Sequence, residues 1–215
     1  MKLLTTHFMD TLNQITATLA LTTGIAWTSG INLYATLLAL GLLAQSGNLA
    51  LPQDLQILAN PLVICAAGFM YFIEFFADKT PGVDTAWDSL HTFIRIPAGA
   101  MLAAGAIGDL NPAVELAAAI VGGGLAASTH ITKAGTRILI NTSPEPVSNW
   151  LASISEDIAV IMAIWACIQH PLVFLIALGL IIILMAWWLP HIWTAIKKLF
   201  AAIGRLFQHQ PTNPS

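Results

Sequence analysis

The sequence predicts an all-α polytopic membrane protein, and three observations predict it. Only 9% of the 215 residues are charged and 57% are hydrophobic, whereas a soluble domain carries about 25% charged residues. Mean hydropathy is +0.77. The apolar residues also fall in runs close to the ~20 residues that cross a bilayer core. The formal net charge of −3 offers no basic surface, so no nucleic-acid partner is expected. The expected partners are the lipid bilayer and an ion or small polar solute, with a homo-oligomer left open and no cofactor.

The first thirty residues, MKLLTTHFMDTLNQITATLALTTGIAWTSG, join Lys2 to an apolar stretch. Asp10, Asn13 and Gln14 interrupt it, and no small-x-small cleavage site follows. Retention in the chain is therefore expected, rather than removal as a signal peptide. A single helix over 11–45 would be roughly 50 Å long at 1.5 Å per residue, too long for one crossing. A break is predicted at Thr28-Ser29-Gly30, with Asn32 opening the next helix. Residues 11–27 then form either a re-entrant half-helix or a seventh span.

Six spans are predicted, over 31–45, 60–77, 94–109, 112–128, 149–168 and 171–189. Several are short, which suits a small bundle extended by polar turns. Three begin Asn60-Pro61, Asn111-Pro112 and His170-Pro171. Proline in the first turn loses no hydrogen bond, and the asparagine before it can cap. The other three begin NLYAT at Asn32, RIPAG at Arg95 and NWLAS at Asn149, each polar-x-x-Ala-small. The two sets alternate, which reads as three hairpin repeats, 28–93, 94–148 and 149–208. All three belong to a single transmembrane domain over 1–209, with 210–215 as a disordered tail. Each hairpin ends in a polar or amphipathic segment, 78–93, 129–148 or 190–208, expected to form short cytoplasmic helices.

Lysine and arginine set the orientation. The connections at 46–59, 109–111 and 169–170 contain none. Lys79, Arg95, Lys133, Arg137, Lys197, Lys198 and Arg205 all fall on the other side, which is expected to be cytoplasmic together with the C-terminus. Lys197, Lys198 and Arg205 read as interfacial anchors, and Trp187, Trp188 and Trp193 as an aromatic belt. Cys65 and Cys167 lie inside apolar runs and read as packing residues.

Residues 74–95 hold six of the nineteen charged side chains. Asp84, Asp88, His91 and Arg95 are spaced +4, +3, +4, which places them within an arc of about 60° on a helix. Glu74 and Asp78 form another i,i+4 pair, with Lys79 beside them. His130, Lys133 and Arg137 make a basic stripe on the second polar segment. The two segments are expected to pair through an ion-pair network, Asp88 against Arg137. Asp84 also suits a helix cap after Pro81-Gly82. Asp84, Asp88 and His91 have a spacing compatible with metal ligation, so a metal is left open. Glu156 and Asp157 sit two turns into the span that Asn149 opens, roughly 10 Å below its start. An intramembrane carboxylate is by default a functional-site hypothesis. With Glu74, Arg95, Arg137 and the broken backbone at Ser29, Gly30 and Asn32, these carboxylates are expected to line a polar cavity open to the cytoplasm.

The stretches SGINLYAT, EFFADKTPGVDTAWDSLHTFIRIPAGA and THITKAGTR with INTSPEPVSNW resemble the bacterial integral-membrane family catalogued as domain of unknown function 4126. The resemblance spans nearly all of 20–190. It implies a multi-pass protein of the bacterial inner membrane and brings no activity or site residues. EFFADKT also resembles the Glu-x-Gly-Asp-Lys-Ser/Thr motif of a cation/proton exchanger family, whose acidic residues bind the cation and whose two halves each carry a copy. Ala77 replaces the glycine here, and LAASTHI stands where a second copy would fall.

The function these features point to is a small channel or secondary transporter for an ion or small polar solute. Proton coupling would centre on Glu156 or Glu74. The glycine-rich spans GAMLAAGAIG and IVGGGLAAS accord with that. The alternatives are a lipid scramblase or membrane assembly factor using the polar stripe as a head-group groove, and a membrane enzyme acting on lipid head groups with His91 or His130 as acid–base. No nucleophile motif or metal triad supports catalysis, and no catalytic residue is expected.

Overall fold

The computed structural model describes residues 2–108, 111–142 and 146–208. The predicted tail at 210–215 lies outside the described residues. The described chain is helical, with no strand. It comprises α1 (Lys2–Ile31), α2 (Leu33–Gln45), a short 3-10 helix (Gln53–Ala59), α3 (Pro61–Ala77), α4 (Val83–Ile107), α5 (Pro112–Ile140), α6 (Pro146–Gln169) and α7 (Pro171–Gln208). The starts follow from side-chain chemistry. Asn32, Asn60 and Asn111 each accept a hydrogen bond from a backbone N–H of the following first turn, which satisfies a donor the helix cannot. Gly82, at φ 83°, makes the turn between α3 and α4.

Among the described residues, four helices are long and apolar enough to cross a membrane: α4, α5, Val147–Gln169 of α6 and Pro171–Ala202 of α7. A fifth is gained if the 3-10 segment and α3, bent by 68°, count as one span. This is a multi-pass helical protein. The expected span at 31–45 is not of that length. The helix there has 13 residues, about 20 Å.

The predicted break at Thr28-Ser29-Gly30 lies elsewhere. The helix runs through those residues and stops at Asn32, whose φ is −146° and ψ 100°. The hydroxyls of Thr28 and Ser29 return to the helix's own carbonyls, Gly24 at 2.9 Å and Ala26 at 2.8 Å, so they do not compete with helical geometry. Gly30 serves close packing. A Cβ there would lie 2.5 Å from the Ala126 carbonyl oxygen.

α1 and α2 form a V. Ala17, Thr18 and Leu21 of α1 line one cavity with Leu49–Pro52 beyond α2, and with Ala106 and Cys167. Both helices therefore rise from the same end of the bundle and meet at Asn32. The apex touches Arg95, which stands twelve residues from the end of α4, roughly 18 Å along the axis.

The expected short amphipathic helices do not exist as separate elements. Residues 83–93, 129–140 and 190–208 are turns of the long helices α4, α5 and α7. The helices continue through Pro97 of α4 and Pro190 of α7, and the polar stripes of α4 and α5 turn inward. Asp84, Asp88, His91, Arg95, His130, Lys133 and Arg137 are all buried, while Phe69, Phe93, Met101, Leu151 and Leu184 are exposed. Polar-in and apolar-out is the arrangement a bilayer favours. The apolar core lies toward the 46–59 end, around Leu40, Leu55, Leu102, Ile164 and Phe174. Cys167 joins it, but Cys65 faces outward.

Candidate functional site: a buried ion-pair network at a helix break

Four helices and one helix end converge on a single charged cluster. α3 delivers Glu74 and its C-cap Asp78, α4 delivers Asp88 and Arg95, α5 delivers Lys133 and Arg137, and α6 delivers Glu156. Arg95 Nη2 donates to Glu74 Oε1. Lys133 Nζ donates to Asp78 Oδ2 at 2.7 Å. Arg137 grips Glu156 with both Nε (3.3 Å) and Nη2 (2.8 Å). Lys133 Nζ also lies 3.3 Å from Glu156 and 3.7 Å from Glu74 and from Asp88. The charges fill the space against one another, where an open cavity was expected. Asp88 meets Arg95 at 3.3 Å and Lys133 at 3.7 Å. It does not pair with Arg137, which reaches past it to α6.

The broken backbone is part of the cluster. The last carbonyls of α1 have no intrahelical partner, and Ile31 O accepts from Arg95 Nη1 at 3.0 Å and from Lys133 Nζ at 3.2 Å. Cations at a helix C-terminus also complement its dipole. On the other side of the break, Asn32 Oδ1 caps α2 by accepting from Ala35 N–H, and its Nδ2 donates to Asp157 Oδ1 at 3.1 Å. Asn32→Ala is expected to lower stability by ~1 kcal/mol for the lost cap, with Asn32→Ser restoring most of it. Thermal unfolding in detergent micelles measures both, and equal losses in the two variants would mean that the cap contributes nothing.

The remaining predicted residues take supporting places. Asp84 Oδ1 accepts from Gly82 N–H, Thr85 N–H and Asn141 Nδ2. The N-cap of α4 is Gly82, so Asp84 lies inside the first turn, which it braces while bridging to Asn141, the C-cap of α5. Asn141 Oδ1 accepts from Asn149 Nδ2, and Asn149 offers both its oxygens to Arg137. Lys79 donates to Ser153 Oγ at 3.0 Å and lies over the Phe75 ring. Burial alone would push the Asp78 carboxyl up, but Lys133 and Arg137 hold it below the usual carboxylate range. Ser29 and Gly30 pack and do not ligate through side chains. Asp84, Asp88 and His91 do not converge, and among the described residues no group of three His, Cys, Asp or Glu side chains could hold a metal ion.

The two histidines have definite tautomers. A carbonyl can only accept, so His91 Nδ1 carries the proton donated to Trp87 O at 2.9 Å, and Nε2 accepts from the Tyr34 hydroxyl at 3.1 Å. A guanidinium can only donate, so His130 Nδ1 accepts from Arg95 Nη1 at 3.1 Å. Its proton sits on Nε2, facing Thr92 Oγ1 at 2.8 Å and Asp88 O at 3.0 Å.

Sequence reasoning missed Tyr34, Thr92, Asn141, Ser153 and the Ile31 carbonyl. A signal for the first existed. The chain has nine Phe and seven Trp but only two Tyr. Both tyrosines sit at the site, Tyr34 on His91 and Tyr71 on Asp157. A hydroxylated ring in an otherwise apolar span carries a polar handle that wants a partner.

No curated protein and no solved structure matches the chain. The family described as domain of unknown function (DUF4126) matches residues 19–191. That stretch includes the whole network, from the Ile31 carbonyl to Asp157. The chain belongs to the DUF4126 family.

Proposed function

We propose that this protein is a small channel or secondary transporter for an ion or small polar solute, with the buried network as its site. One observation carries this reading. The carbonyl end of a broken helix and a set of carboxylates share the same two cations, Arg95 and Lys133, out of contact with water. Broken helices place free backbone dipoles beside ion or substrate sites in secondary transporters. A network that only joined helices would gain from satisfying every group. Here Glu74 Oε2, Asp78 Oδ1 and both oxygens of Asp88 lack a hydrogen-bond partner among the described residues.

In this reading α3 to α7 cross the bilayer of a bacterial inner membrane, and the α1–α2 V enters and leaves from the side opposite Lys79. The basic end and the C-terminus are cytoplasmic. Cysteines introduced at Thr80 and Thr142 should react with a membrane-impermeant thiol reagent only from inside, and cysteines at Gly47 and Gln53 only from outside. The reverse pattern would invert the topology.

Transport is tested in proteoliposomes with ion-flux and pH readouts. Wild type is expected to conduct in a pH-dependent way. Glu74→Gln should fold, since an amide retains the shape, and should lose that dependence. A folded Glu74→Gln protein with unaltered pH-dependent flux would place the transport site elsewhere. The same vesicles can report lipid scrambling. The alternative lipid reading has one feature in its favour, a groove of about 620 Å³ between α5 and α7 with Thr92 and His130 among its lining residues.

A further inference from the structure

The network lacks one positive charge. Among the described residues, Glu74, Asp78, Asp88 and Glu156 lie within ion-pair distance of only three cations, Arg95, Lys133 and Arg137. The shortest contacts pair Arg95 with Glu74, Lys133 with Asp78 and Arg137 with Glu156. Asp88 is left over. Its side chain is 0% exposed. Arg95 at 3.3 Å and Lys133 at 3.7 Å are near it, but neither donates a hydrogen bond to either oxygen. Those two cations are drawn away further by the Ile31 carbonyl, whose helix end adds roughly half a negative charge.

No other neighbour makes up the deficit. On α5, His130 turns its proton toward Thr92 and the Asp88 backbone carbonyl, and Arg137 is held by Glu156, Asn149 and the Asp78 carbonyl. On α4 itself, His91 is held between Trp87 O and Tyr34 of α2, and Asp84, one turn away, is a further acid. On α3, Glu74 and Asp78 are acids as well. A metal ion would need converging ligands, and no such group exists among the described residues. An isolated ionised carboxylate away from water costs many kcal/mol, so such a group takes up a proton instead.

We propose that Asp88 holds a proton as the fourth positive charge of the network, so that the species taken up and released at this site is a proton. As the transported or coupling species this rests on the transport reading; as the resting state of the network it stands alone. In the step, a proton from water forms an O–H bond on the Asp88 carboxylate. The acid becomes neutral, no electron moves, and the seven-residue network passes from one net negative charge to none. Release has a structural consequence. The Asp88 anion then competes for Arg95 and Lys133 with the Ile31 carbonyl, and the α1–α2 break loosens.

Infrared difference spectroscopy on the full chain in lipid tests this directly. At neutral pH the wild type should show the C=O stretch of a protonated carboxylic acid. The band should vanish in Asp88→Asn, shift in frequency in Asp88→Glu, which keeps the acid, and fade in Glu74→Gln, which removes the surplus negative charge and frees Arg95 for Asp88. Absence of the band in wild type would overturn the proposal, with or without accompanying binding of sodium or potassium by calorimetry. So would its persistence in Asp88→Asn. The wild-type spectrum decides even if a variant fails to fold. A band without flux in proteoliposomes would sink the transport reading and support the proton site.

Discussion

Arg95→Ala is expected to destabilise the protein by ~3–5 kcal/mol, the cost of breaking a buried pair by removing one partner. The side chain is fully buried and makes four kinds of contact: the Glu74 carboxylate, the Asp88 carboxylate, the carbonyls of Gly30 and Ile31, and His130 Nδ1. Removing it leaves two buried carboxylates on their short-range neighbour Lys133 alone, and one helix end without its nearest cation. Arg95→Lys should recover only part of the loss. An ammonium is a point charge and cannot span a carboxylate, a carbonyl and an imidazole as the planar guanidinium does. The unfolding midpoint in detergent should fall by about 10 °C for Arg95→Ala, taking about 2–4 °C per kcal/mol for a chain of this size. A loss below ~1 kcal/mol would mean that water reaches the cluster in the folded state.

Much of this cluster was legible in the sequence, and the reasons are physical. A polar residue every three or four positions in an apolar helix has only two destinations, water or a protein interior. The Asp84, Asp88, His91, Arg95 stripe and the His130, Lys133, Arg137 stripe were therefore readable as two faces that meet. Asn60-Pro61 and Asn111-Pro112 announced their helix starts because capping is local. What failed was non-local. Spacing gives the face of a helix but not its offset along a neighbour, so Asp88 was matched to Arg137 when the register brings Lys133 opposite. The break was misplaced because Thr, Ser and Gly weaken a helix in water, whereas here two hydroxyls fold back on the helix and Gly30 is a contact surface. The polar ends of α4 and α5 were read as separate surface helices because amphipathicity alone does not say which face meets lipid. A backbone carbonyl such as that of Ile31 carries no letter in the sequence.

Gly122→Val is expected to be the most damaging apolar substitution. α4 and α5 cross through small residues, Gly99 and Ala103 against Gly122 and Ala126, and α1 enters the same crossing through Ala26, Ser29 and Gly30. A Cβ at 122 would overlap the Ala103 methyl group and lie 3.0 Å from the Gly99 carbonyl oxygen. Neither neighbour can rotate away, since one is a methyl on backbone and the other is backbone itself. Close approach of this kind holds membrane helices together through packing. Overpacking costs about 1–3 kcal/mol, occasionally more, and the rigidity of these neighbours places Gly122→Val at or above the top of that range. The α4–α5 separation sets where Arg95 and Lys133 meet the α1 end, so the variant should also lose the acid band assigned to Asp88. Gly124→Ala is the control. A Cβ there meets nothing within 4 Å, and its effect should stay within about 0.5 kcal/mol. Equal losses at 122 and 124 would mean that the crossing does not limit stability.

The placement of Lys133 opposite Ile31 has a consequence for how the protein is made. These two residues are 102 positions apart in the chain. At about 5–20 residues per second of synthesis, the carbonyl end of α1 waits roughly 5–20 s on the ribosome–translocon path before its lysine emerges. Asp78 waits for the same residue across 55 positions. During that interval α1 and α3 present anionic ends with only Lys79 and Arg95 as cations near them. A nascent chain arrested before α5 therefore holds negative charge that only the later helix neutralises.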